Sequence, residues 1–164
     1  MSADNAAPAQ GVCRFEVTVK REWLDYNEHM NVAFYLKAFD DASEGLIACA
    51  GMGAAYTRET HNSWVALESH IGFRQEVRLG DSLRIESRVV DHDAKKIHLY
   101  QEMFRGSELV ATHEQLGVHF DTIARRATAF APDVLARVAA LHEAQRALPR
   151  PTALGRAVSM RKRA

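Results

Sequence analysis

Between Asn31 and Gly51, apolar side chains recur at Val32, Tyr35, Leu36, Phe39, Ala42, Leu46, Ile47 and Ala50. That spacing is a helical period held for about five turns. Lys37, Asp40, Asp41 and Glu44 fall on the opposite face. Asn31 stands where an N-cap belongs and Gly51 where a helix stops. A helix with so long an apolar stripe needs a broad apolar surface to cover it, and the rest of the chain offers strands to do so.

Residues 15–19 (FEVTV) alternate like a half-buried strand. Residues 63–77, 82–91, 96–105 and 108–121 read as four more, separated by Leu79-Gly80-Asp81, His92-Asp93-Ala94 and Gly106-Ser107. Short polar turns between consecutive strands predict an antiparallel meander. Residues 54–62 read as a loop, and Gly51-Met52-Gly53 does not extend to GxGxxG because Tyr56 stands at the third glycine position. Pro132, at an N1-like position, opens a second amphipathic helix with Leu135, Val138, Leu141 and Leu148 on one side, and Pro149 and Pro151 end it. The predicted fold class is α+β: an antiparallel β-sheet wrapped around the long central helix, with an additional C-terminal helix. The helix start then lies at the edge of the sheet, within reach of a ligand.

The 164 residues are expected to form a flexible N-terminal tail (1–12), a single domain (13–148) that includes the C-terminal helix, and a basic flexible tail (149–164). Residues 1–12 lack the basic and apolar regions of a signal peptide. A formal net charge of zero gives no pull toward nucleic acid or an anionic membrane, and no apolar run approaches spanning length. Cys13 and Cys49 match no CxxC pattern, which fits a reducing cytoplasm rather than a disulfide framework.

Immediately before the long helix, Asp25, Tyr26, Asn27, Glu28, His29 and Asn31 crowd into seven residues. Free N–H groups at a helix N-terminus carry partial positive charge and can polarise a carbonyl or meet an oxyanion. Asp25 beside them is the candidate catalytic carboxylate, although an Asp in such a place caps a turn more often than it catalyses. His29 and Glu28 could each act as a base, or stand half-exposed in the turn. Glu68 and His70 are two apart on a strand and share a face, with Leu67, Ile71 and Phe73 marking the other face as apolar. The eight histidines have no metal-ligand spacing, and no GxSxG is present. Arg74, Arg78, Arg84, Arg88, Lys95 and Lys96 are interleaved with Glu76, Asp81, Glu86 and Asp91, an ordinary mixed surface.

The run Asp25-Tyr26-Asn27-Glu28-His29-Met30-Asn31, followed by Tyr35 and a long helix, resembles the D-x-x-G-H-x-N signature of hotdog-fold thioesterases of the 4-hydroxybenzoyl-CoA thioesterase type. Residues 75–83 look like that family's turn between the second and third strands. Leu67-Glu68-Ser69-His70-Ile71, Lys95-Lys96-Ile97-His98-Leu99, His113-Glu114-Gln115 and residues 147–151 (ALPRP) are similar to the betainyl-CoA thioesterases associated with carnitine dehydrogenase. The likeness covers about residues 14–122 in the first case and reaches the C-terminal helix in the second.

The resemblance implies a hotdog fold, a homodimer joined edge to edge that can pair into a tetramer, and acyl-CoA as substrate. It implies sites at the dimer interface, no metal, and no cofactor beyond the coenzyme A of the substrate. Asp25 would attack the thioester or activate water, with His29 and Asn31 beside it. N–H groups near Met30 and Asn31 would polarise the carbonyl. Trp23, Tyr26, Asn27, Glu28, Met30, Trp64, Glu68 and His70 would contact substrate. Glu28 stands where the family has glycine. With Trp23, Tyr26, Tyr35 or Trp64, it could favour a quaternary ammonium acyl group through charge and cation–π attraction, the alternative being that these aromatics are core. Two rivals remain: a hotdog dehydratase using His70 or His29, and a non-catalytic acyl-CoA-binding module.

Overall fold

The computed structural model describes residues 12–160. Nearly all of the expected N-terminal tail, and the basic Arg161, Lys162 and Arg163, lie outside the described residues. The long helix α1 spans Val32–Cys49, and the Asn31 side chain caps it by accepting the Ala33 N–H at 3.0 Å. Its buried stripe is Tyr35, Ala38, Phe39, Ala42, Ser43, Leu46 and Ile47. Val32 and Leu36, expected on that stripe, are 62% and 44% exposed because they sit on its flank, beyond the reach of the sheet. At the other end Gly51 takes a left-handed φ of 81°. Arg137 Nε donates to the Ala50 carbonyl there at 2.9 Å, placing a cation at the negative end of the helix.

The strands are β1 (Cys13–Thr18), β2 (Asn62–Phe73), β3 (Ser82–His92), β4 (Lys96–Arg105), β5 (Glu108–Asp121) and the short β6 (Arg126–Ala127). They form one antiparallel sheet in the order β1-β3-β4-β5-β2, with β6 also paired to β5. Only β3-β4-β5 is a meander; β2 lies at the far edge against β5 rather than beside β3. The reason is the 74–81 connection. Arg74 and Gln75 both donate to the Val110 carbonyl, ending β2 at Phe73 instead of Val77. Val77 is then buried beneath the start of α1, its carbonyl accepting the Met30 N–H at 2.8 Å.

Two apolar clusters fill the space between α1 and the sheet. The N-terminal half of α1 packs Tyr35, Phe39 and Ala42 against Leu83, Ile85, Met103, Val110 and Ala111. The other half packs Leu46, Ile47 and Ala50 against Val89, Ile97, Leu99 and helix α3 (Pro132–Gln145). Each large side chain so buried contributes about 1.5–3 kcal/mol. Pro132 does open α3, but the helix ends at Gln145, short of Leu148, where the Gln145 side chain accepts the Val89 N–H at 2.7 Å. Val134 and Val138 are its fully buried apolar residues, whereas Leu135 and Leu141 are half-buried.

Two further segments depart from expectation. Residues 54–60 form a short helix, α2, not a loop; none of its residues is buried, so no apolar period announced it. Residues 149–155, expected to begin a flexible tail, cross the outer face of the sheet: the Pro149 carbonyl accepts from Arg88, Ala153 is buried, and the Gly155 N–H donates to Glu114. No helix among the described residues is long and apolar enough to cross a membrane.

Candidate functional site

Residues 25–31 fold into a turn closed on itself. The Asp25 N–H donates to the His29 carbonyl at 2.9 Å, and the Glu28 N–H to the Asp25 carbonyl at 3.1 Å. Asp25 Oδ1 accepts the Asn27 N–H at 2.8 Å and the His29 N–H at 3.4 Å. The carboxylate is therefore anchored through one oxygen, while Oδ2 has no partner among the described residues. Capping and chemistry are not exclusive here: one oxygen holds the turn and the other carries no hydrogen bond among the described residues.

The donors proposed from sequence are a different matter. The Met30 N–H is taken by Val77 and the Asn31 N–H by the Trp23 carbonyl at 2.9 Å, because this segment bridges to its neighbours before the helix begins. Neither is available to a carbonyl. The N–H of Val32, the first residue of α1, has no partner among the described residues and lies at the positive end of the helix.

Glu28 adopts φ 59°, the left-handed region that suits glycine. The family's glycine at this position thus answers a backbone requirement, which Glu28 meets at a cost of about 1–2 kcal/mol. Its carboxylate points to solvent, 3.9 Å from Arg21. His29 Nε2 lies 3.3 Å from Glu76, which also holds Arg78. Trp23 is 8% exposed, stacked on Phe34 with the Lys20 ammonium over its ring; Tyr35 is buried edge-on against Phe73. Tyr26 is 94% exposed. Of the aromatics named from sequence, Trp64 lines a cavity. That cavity measures about 380 Å³ and lies between the C-terminal half of α1 and the start of β2.

Glu68 and His70 lie on the outer face of the sheet with His98 and Glu114, away from α1. The inner face carries what sequence reading missed. His113, Gln101 and Gln115 are buried among apolar neighbours; Gln101 and Gln115 meet Ser43 of α1, and His113 joins them through Gln101. Strand parity was the available signal: Gln101 alternates with Ile97, Leu99 and Met103, and so must face inward. The Gln101 amide donates to the Phe39 carbonyl and to Ser87, so its Oε1 is an acceptor and His113 Nδ1 carries the proton, at 2.7 Å. His113 Nε2 then accepts the Ser69 hydroxyl at 3.1 Å. The row looks like a serine–histidine relay, but burial, and then the charge of His70, push the His113 pKa down to about 4. An imidazole so reluctant to take a proton is a poor base at neutral pH. This row orders the core.

Comparison with known proteins gives the family. The thioesterase-like superfamily matches residues 19–138. The betainyl-CoA thioesterase of Pseudomonas aeruginosa is 34% identical over 154 residues, covering 93% of this chain and 97% of that protein. The L-carnitine dehydrogenase/betainyl-CoA thioesterase of Ruegeria pomeroyi is 31% identical over 155 residues; the match takes in 94% of this chain but 32% of that longer protein. Among solved structures, a Staphylococcus aureus protein in complex with CoA superposes with a TM-score of 0.87 at 24% identity, over 92% of this chain and 96% of its own. A sheet wrapped around one long helix, a carboxylate turn at that helix's start and a family match across most of the domain lead to one conclusion. The chain belongs to the thioesterase-like superfamily and is a hotdog-fold acyl-CoA thioesterase.

Proposed function

We propose that the substrate is betainyl-CoA, the thioester of N,N,N-trimethylglycine, hydrolysed to betaine and free coenzyme A by a cytoplasmic homodimer. The observation that carries the reading is the Asp25 turn: a carboxylate anchored through Oδ1, free at Oδ2, and set before a helix whose first N–H is unpaired. Asp25 Oδ2 takes a proton from water, and the water oxygen attacks the thioester carbonyl carbon. The oxyanion that forms is met by the Val32 N–H and the positive end of α1. The C–S bond then breaks, and the thiolate recovers the proton from Asp25. No metal or further cofactor enters these steps. His29 and Asn31 act by holding the turn and capping the helix.

The choice of acyl group is supported by the substrate named for the Pseudomonas relative, which matches this chain over nearly all of both lengths. The dimer is supported by β2, a 12-residue strand whose outer edge is open. Leu67 and Phe73 on it are exposed, as are Val32 and Leu36 on α1. An apolar edge of that length invites a second strand.

The test is thiol release from a panel of betainyl-, aromatic and medium-chain acyl-CoAs by the native protein and by Asp25→Asn. Betainyl-CoA hydrolysis that Asp25→Asn abolishes while the protein stays folded is the expected result. Undiminished activity in the variant would remove Asp25 from the chemistry. Binding without thiol release would favour the binding module or the dehydratase.

A further inference from the structure

The walls of the Trp64 cavity carry what a neutral acyl pocket does not need. Asp40 and Glu44 lie one turn apart on α1, and both line it. Neither makes a salt bridge among the described residues; Lys37, bridged to the adjacent Asp41, is a nearby cation whose charge reaches both. Trp64 lines the same cavity and lies against Gly117, so close that a Cβ there would come within 2.2 Å of the ring. Its Nε1 is buried without a hydrogen-bond partner. Two carboxylates that make no salt bridge and share a cavity with an indole suit a cation that has no hydrogen bonds to give, because the ring and the charges attract it without directional donors.

We propose that Trp64, Asp40 and Glu44 form the subsite for a quaternary ammonium group on the acyl chain, and that each copy of the protein supplies this subsite to the Asp25 turn of its partner. The proposal rests on the thioesterase reading above. Twelve residues separate Val32 from Glu44, about 18 Å along the helix axis. The carbonyl carbon and the ammonium nitrogen of a trimethylglycyl group are two bonds apart, about 2.5 Å. One chain cannot hold both ends of so short a group. The geometry of β2 resolves this. Its first residues lie beside the cavity, and Phe73 at its other end packs on Tyr35 near the start of α1. Antiparallel pairing of the two free β2 edges about a two-fold axis reverses the strands and carries Trp64 of one copy to the helix N-terminus of the other. Closing the open cavity in this way also removes water from the carboxylates and strengthens their field.

The experiment compares kcat/KM for betainyl-CoA with that for tert-butylacetyl-CoA, its neutral isostere, in the native protein, the double variant Asp40→Asn/Glu44→Gln, and Trp64→Leu. The ratio of the two is expected to fall about tenfold in either variant, as loss of a desolvated cation contact requires. Trp64→Phe, which keeps an aromatic face, should retain most of it. A ratio that does not move overturns the subsite. If the native protein hydrolyses neither thioester, the thioesterase reading fails separately. Calorimetric titration with the non-hydrolysable thioether analogues then reads the subsite alone: tighter binding of the cationic analogue supports it, and equal affinity for cation and isostere overturns it. Mixing Asp25→Asn chains with Asp40→Asn/Glu44→Gln chains should restore up to about a quarter of native betainyl-CoA turnover, since random pairing leaves one site in four intact. A mixture no more active than the mean of its parents would place both groups on one chain and overturn the exchange between partners.

Discussion

The two ends of α1 are built on opposite plans. At the N-terminal end, chemistry is local: seven consecutive residues make a turn whose N–H groups, apart from that of Tyr26, are taken by its own carbonyls, by the Asp25 carboxylate and by the Trp23 and Val77 carbonyls. Asp25 Oδ2 and the Val32 N–H are left over at the start of the helix. Toward the C-terminal end the cavity is assembled from α1, the start of α2 and strands β2 and β5, with its carboxylates outside any salt bridge and its aromatic ring propped on a glycine. The first plan positions a reacting group with little freedom. The second leaves space and charge for a substrate to satisfy, which suits selection of the acyl group. Reaction and selection are thereby separated along one helix.

Breaking the N-terminal plan should have the largest effect. Asp25→Asn keeps the turn's acceptor oxygen but removes the base, and is expected to lower kcat about 10³-fold with an unchanged circular dichroism spectrum. A smaller effect separates the buried polar row from both ends. The His113 pKa stands near 4 in the folded chain against 6.5 for an unperturbed histidine. Between those values the unfolded chain binds a proton that the folded chain refuses, so stability is full above about pH 6.5 and falls as pH drops toward 4. The loss is on the order of 3 kcal/mol. Urea unfolding at pH 7 and pH 4.5 measures it, and His113→Gln should flatten the difference.

The C-terminal plan is sharpened by Gly117→Ala. A methyl group there must displace the Trp64 ring, and overpacking of this kind costs about 1–3 kcal/mol. Chemical denaturation gives the stability, and a shifted indole emission would report the ring; an unmoved Trp64 would contradict the contact. The smallest effect belongs to Glu28→Gly. Relief of the left-handed backbone is offset by the greater freedom of an unfolded glycine, so stability should change by less than about 1 kcal/mol in thermal melts. Betainyl-CoA turnover should survive, which would assign Glu28 to the backbone rather than to the ammonium group.

Much of this is legible in the sequence. The period of α1 and the strand alternation from Ser82 to Asp121 identified a helix against a sheet, because burial of one face imposes those spacings directly on the sequence. The Asp25 cluster was legible because its hydrogen bonds close within seven residues. Other features were not. Helix α2 buries nothing and so leaves no apolar period. Val32 and Leu36 read as core, yet the sheet does not reach them.

What the sequence determined by itself was therefore the set of elements and the reacting loop, where neighbours along the chain supply the forces. The tertiary structure decided the rest. It placed β2 at the edge, turned Glu68 and His70 outward, gave the Met30 and Asn31 N–H groups to Val77 and Trp23, and set Trp64 in one cavity with Asp40 and Glu44. Each of these depends on which distant backbone takes a given hydrogen bond or covers a given face. That competition is settled only when the whole sheet has closed around the helix.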